Sequence, residues 1–206
     1  MTHSAPTLGS PQEKTRPPEG AELSAPREVP GLLEPLGNFL ASGGGKAEGL
    51  ANLARFGLSV PAGVVVPSAC FAEHCARAGV ADLALLLEGL EPRDCEAAAQ
   101  RSAEFARALA APGLAPALQE ALGELGPGPW IVRSSALGED SQSASFAGLL
   151  VSLRTDSARE LGAAVLEVWS SFASVPALLY QAARGKRLQG CGVVIQRYVR
   201  AQAAGV

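Results

Sequence analysis

Pro129-Trp130-Ile131-Val132-Arg133-Ser134-Ser135-Ala136-Leu137-Gly138-Glu139-Asp140 opens as a buried strand and then departs from one. The apolar run Trp130 to Val132 has the residue types of a core strand, where further apolar residues would ordinarily follow. Arg133, Ser134 and Ser135 follow instead. A guanidinium is a rigid planar fork of donors suited to phosphate or carboxylate, so Arg133 calls for an anion, and the two serines add hydroxyls beside it. That anion is either a bound ligand or, within the chain, Glu139 or Asp140. The segment alone leaves both readings open. It runs on through Ser145-Phe146-Ala147-Gly148.

Upstream, Gly43-Gly44-Gly45-Lys46 precedes a stretch in which Leu50, Leu53 and Ala54 recur at helical spacing and Gly57 suits a C-terminal cap. A glycine loop feeding a helix exposes backbone N–H groups at a positive helix end, here with Lys46 beside them. The same pattern also describes a plain flexible turn. It is not a P-loop, which would need a glycine at Leu40 and a hydroxyl at Ala47. Between the two segments, Val64 to Val66 reads as a short strand ended by Pro67, and Ser68 as the N-cap of a helix containing Phe71, His74 and Cys75. With no metal-ligand partner at useful spacing, His74 reads as a partly exposed helix residue. From Ala81 to Gly123 apolar stripes and Pro92, Pro112 and Pro116 indicate about three helices with no chemistry of their own. Downstream, the pattern predicts a strand over Leu149 to Leu153, helices over Ser157 to Val168 and Pro176 to Ala183, and a last strand over Gly192 to Val199.

Composition sets the outer limits. The chain of 206 residues is 48% hydrophobic and 18% charged, enough to build one sizeable core. A net charge of −3 and 5% aromatic residues argue against a nucleic-acid surface, which needs a basic face. Cys70, Cys75, Cys95 and Cys191 have neither CxxC spacing nor a histidine pair nearby, so they read as buried thiols of a reducing compartment. The proline-rich residues 1–30 carry almost no aliphatic side chains and predict a flexible tail without a signal-peptide core. No apolar run reads as a membrane span, and a cytoplasmic protein is expected.

Three segments resemble one family in the same order. IVRSSALGEDSQSASFAGLL is similar to the VRSSA…ED…SFAG signature of the PEP-utilising enzymes, the group containing phosphoenolpyruvate synthase, pyruvate phosphate dikinase and the rifamycin phosphotransferases. Gly43 to Leu50, followed by Gly57 to Phe71, resembles the family's GGKxxxL segment and its continuation. Gly192 to Val199 resembles the VxVQxMV hinge strand, and Gln196-Arg197-Tyr198-Val199-Arg200 is like the QRMVR of phosphoenolpyruvate synthases. The resemblance implies an α/β (α+β) fold, a mixed sheet flanked by helices, with residues 31–206 forming the N-terminal part of an ATP-grasp domain. It implies ATP as ligand, with Lys46 and Arg133 on the phosphates, Gly148 allowing close backbone approach, Ser152 supplying a hydroxyl and Gln196 at the adenine hinge, where main chain near Tyr198 and Val199 would read the base. Mg²⁺ would be held by carboxylates outside this chain, and no catalytic residue can be assigned within it.

Two departures qualify the likeness. Where the family has an acidic residue followed by Thr, this chain has Val151 and Ser152. The sequence also closes on Ala204-Gly205-Val206, inside what resembles the family's AGVxF segment. The expectation is therefore an incomplete domain that binds ATP weakly, does not turn it over alone, and leaves an unpaired sheet edge near Val193 to Val199. Its family activity would be phosphoryl transfer from ATP through a histidine on another domain, or chain, to pyruvate or a different acceptor. The competing reading is a non-catalytic nucleotide-binding module or a truncated gene product.

Overall fold

The structure, a computed structural model, describes residues 31–38, 43–137, 140–141, 144–145 and 148–203. The expected N-terminal tail lies outside these residues, as do Phe39 and Leu40. In chain order the elements are β1 (Glu34–Pro35), α1 (Gly45–Arg55), β2 (Gly63–Val66), α2 (Ser68–Arg77), α3 (Cys95–Ala110), α4 (Pro116–Gly123), β3 (Trp130–Leu137), β4 (Asp140–Ser141), β5 (Ala144–Ser145), β6 (Ser152–Thr155), α5 (Leu161–Ser171), α6 (Val175–Arg184) and β7 (Gly190–Arg197). The α+β class is as expected. Among the described strands every pairing is antiparallel, in the order β1-β2-β7-β3-β6, with β4 and β5 forming a separate ribbon. The mixed strand direction that the resemblance implies is not seen in them. Fully apolar strands such as Val64–Val66 usually belong to parallel sheets covered on both faces. Here β2 is buried on both faces within an antiparallel sheet, and residue type alone does not reveal strand direction.

β3 and β7 pair along their whole length, from Trp130 opposite Arg197 to Leu137 opposite Gly190. β7 is therefore the centre of the sheet and not its edge, which corrects the expectation for Val193 to Val199. The edges among the described residues are β1 and β6. Because side chains alternate faces, Trp130, Val132 and Ala136 of β3 and Val193 and Ile195 of β7 point to one side. There they join Phe71, Phe105, Leu109, Leu122, Trp169 and Phe172 in the main core. Phe71 sits 5.7 Å from the Trp169 ring and 5.2 Å from Phe172, and Trp169 donates its indole N–H to the Cys191 carbonyl at 3.2 Å. The other side carries a smaller cluster of Leu36, Ala47, Ala51, Val65 and Val194, where α1 lies on β2 and β7.

Local chemistry explains the helix limits. Asp94 caps α3 by accepting from the Ala97 amide at 2.9 Å, Pro116 opens α4, and α6 begins at a Ser174 cap and ends on left-handed Gly185. α1 ends in a Schellman turn at Gly57, with the Leu58 amide on the Leu53 carbonyl. α2 begins at Ser68 with Pro67 in the cap position, one residue from the expected boundary. The strand predicted at 149–153 begins instead at Ser152, because Gly148 adopts a left-handed turn with φ 77° that the apolar alternation of Leu149, Val151 and Leu153 does not reveal. Ala158–Arg184 passes for a membrane span by length and apolar composition. In the fold it is broken between α5 and α6 and is 61% buried within the protein.

His74 is not partly exposed: it is 3% exposed, tilted against Trp169 at 5.2 Å, and its Nε2–H donates to the Leu109 carbonyl at 2.8 Å. That bond makes it a buried core residue joining α2 to α3. Cys70, Cys75 and Cys191 are buried, whereas Cys95 is exposed at the start of α3. Burial pushes the Cys70 thiol up to about 11, with Glu73 and Glu34 adding to the rise, and the Cys75 thiol up to about 12. Both folded pKa values lie above the ordinary thiol value of 9.0, so each group stays protonated at neutral pH, and the stability tied to the buried protonated thiols is lost as pH rises from 9.0 through about 11 for Cys70 and about 12 for Cys75. An aromatic disulfide reagent at neutral pH should titrate Cys95 alone in the native chain and all four thiols in guanidinium. Phe71→Ala should lower stability by about 3–5 kcal/mol, the cost of emptying an aromatic core position, as read by denaturant unfolding.

Candidate functional site

The face of the sheet opposite the main core collects the residues that the sequence marks for function. Antiparallel partners point to the same side, so Glu34, Val65, Val194, Arg133 and Ser152 form one row across all five strands. Two residues along, Gly63, Gln196, Ile131 and Arg154 form the next row. In the other direction lies the pair Ser135 and Gly192. α1 covers the Ser135 end of β3 and the adjoining part of β7, and reaches Val65 of β2. Among the described residues the rest of this face over β3 and β6 stays open: Ile131 and Arg133 are half-buried, and Ser152 and Arg154 are exposed.

The glycine loop is fixed against one end of this open strip. The Ala47 amide, in the first turn of α1, donates to Ser135 Oγ at 3.0 Å in a buried bond between segments 88 residues apart. Ser135 thus serves α1 as a cap borrowed from another strand and satisfies one of the helix's orphan N–H groups. The loop main chain packs so closely that a Cβ on Gly44 would stand 2.1 Å from the Ser135 carbonyl oxygen, and one on Gly192 would stand 2.5 Å from the Gly43 carbonyl oxygen. Gly44 also has φ 86°, which disfavours any other residue.

Lys46 therefore sits one residue from the donor of this bond, and Arg133 two residues from its acceptor on the same face. Arg133 lies beside Ser152 across the ladder. The two serines after Arg133 separate: Ser135 shares its face, while Ser134 points into the main core, where its hydroxyl has no partner among the described residues. Glu139 and the side chain of Asp140, the alternative partners for Arg133, lie outside the described residues. Gly148 occupies an exposed turn, with nothing within 4 Å of the position a Cβ would take, so the positive φ and not crowding accounts for glycine there. Gln196 is 3% exposed and donates its amide Nε2 to the Pro61 carbonyl at 3.2 Å, tying the turn before β2 to the central strand. Arg197 faces the other way, stacked 3.8 Å over the Trp130 ring and donating to the Pro127 carbonyl; its burial lowers its pKa.

Sequence reasoning missed Ser135 as a separate actor, Gly192 and Arg154. The alternation of a strand would have separated Ser135 from Ser134. Arg154 and Gly192 needed the β3 register, which no local pattern supplies. The groove of about 670 Å³ between residues 79–86 and α3 lies on the far side of the sheet, and its Arg101 is engaged by the carbonyls of Leu86 and Glu88.

Ser135→Ala should cost about 1–3 kcal/mol, the penalty of stranding a buried amide, measured by chemical denaturation. Gly44→Ala should displace the loop and reduce nucleotide affinity more than Ser135→Ala does, as read by calorimetry.

The family model described as pyruvate phosphate dikinase, AMP/ATP-binding domain, matches residues 41–206. A comparison with curated proteins gives no match. The matched range takes in the glycine loop, the open strip of sheet and the central β7 strand together. The chain belongs to the pyruvate phosphate dikinase AMP/ATP-binding domain family, the nucleotide-binding domain of the PEP-utilising enzymes.

Proposed function

We propose that residues 31–206 form a nucleotide-binding lobe of a phosphoenolpyruvate synthase-like phosphotransferase, holding ATP so that a phosphoryl group passes first to a histidine and then to pyruvate or another acceptor carried elsewhere. The observation that supports this most directly is the Ala47–Ser135 hydrogen bond, which anchors the glycine loop, Lys46 and the N-terminus of α1 at the end of the strip that carries Arg133. Phosphoryl transfer asks a protein chiefly to position charged oxygens and stabilise their charge. Lys46, Arg133 and the first amides of α1 are suited to the phosphates, and Ser152 to a phosphate or ribose oxygen. Gln196, engaged with Pro61, acts by holding the hinge strand in place, leaving main chain near Tyr198 and Val199 for the adenine edge.

Among the described residues no group of three or more His, Cys, Asp or Glu side chains is placed to hold a metal ion. Mg²⁺ accompanying the phosphates would be held by carboxylates outside these residues, and the roles assigned to Lys46 and Arg133 do not depend on it. A reducing, cytoplasmic setting fits the three buried free thiols.

Arg133→Ala should weaken ATP binding by about 1.5–3 kcal/mol, the scale of a charged hydrogen bond. Titration calorimetry on the full chain reads this directly, and an unchanged affinity rejects the assignment.

A further inference from the structure

We propose that Arg154, backed by the Tyr198 ring, is a positioning residue for the adenine base; this rests on the ATP-binding reading above. Arg154 is on edge strand β6, one row beyond Arg133 and Ser152 in the direction away from the glycine loop. Its row partners are Ile131, directly opposite, and Gln196 beyond it. From the Ser135 row to the Ile131 row is four residues of strand, about 13 Å at the usual rise, a span on the scale of an extended nucleoside triphosphate. With phosphates at the Lys46 and Ser135 end, the base falls at the Arg154 and Tyr198 end.

The state of the guanidinium favours a base over a phosphate. Arg154 Nη2 already donates to Asp156 Oδ1 at 2.7 Å, and its guanidinium carbon lies 4.8 Å from the centroid of the Tyr198 ring. A phosphate would have to displace Asp156 or endure its charge. A purine would not, because a planar guanidinium offers its face to π-systems while its edge stays hydrogen-bonded. The side chain keeps 52% of its surface exposed, and Tyr198 is 38% exposed, so both can be covered by a ligand. The ion pair is too exposed to hold the fold together, and structure alone gives little reason for it.

Calorimetric titration of the full chain with ATP and with tripolyphosphate separates the base from the phosphates. Arg154→Leu should weaken ATP binding about three- to thirtyfold, the range of a cation–π contact closed to water, and leave tripolyphosphate affinity and the melting temperature unchanged. Tyr198→Ala should do the same, and Tyr198→Phe should retain wild-type affinity. Equal loss for both ligands in Arg154→Leu would make the residue a phosphate contact, and no loss for ATP would reduce it to a surface ion pair; either overturns the inference while leaving the ATP reading intact. A wild-type chain that binds neither ligand would instead overturn the ATP reading and this one with it.

Discussion

Main chain meets main chain where Gly44 lies against Ser135 and Gly43 against Gly192, with room only for hydrogen at both contacts. This close approach lets the Ala47 amide reach Ser135 Oγ, and that bond sets the height and direction of α1 above the sheet. Ala47 and Ala51, both small, then let α1 settle onto Val65 and Val194. The helix covers one half of the face and leaves the other half open. A larger side chain at any of these positions would lift α1, and the open strip would lose its wall.

The two faces of one strand divide the work. On β3, Trp130, Val132 and Ala136 serve the core, while Ile131, Arg133 and Ser135 lie on the opposite face with the candidate site. The partition leaves two hydroxyls stranded on the core side of the sheet: Ser134 and Thr155, 1% and 7% exposed, find no hydrogen-bond partner among the described residues. On β7 the division shows at the hinge, where buried Gln196 holds Pro61 on one side and Arg197 stacks on Trp130 on the other.

Much of this is legible in the sequence. β-branched and apolar runs mark β2, β3 and β7, prolines and cap residues mark the helices, and the polar interruption at Arg133 marks the face that α1 leaves partly open. Three ordered motifs carry the family, and the family carries the ligand. What stays hidden is set by contacts between distant segments. The antiparallel order, the central place of β7, the burial of His74 and the place of Arg154 all depend on register and on packing partners as far as 135 residues away. Gly148 sits in a turn whose left-handed backbone no local pattern announces. The strand after it begins later than the apolar alternation implies for the same reason.

β6 has four residues and one paired side among the described strands, so its outer N–H and C=O groups form a template on which another chain could extend the sheet. Such edges invite fibrous association unless charge or brevity blocks them. Arg154 within the strand and Asp156 just after it put both signs of charge on that rim, and the turn at Gly148 keeps the strand short. The residues that line the open strip thus also act as gatekeepers, and replacing them with apolar ones would trade solubility for nothing in the core.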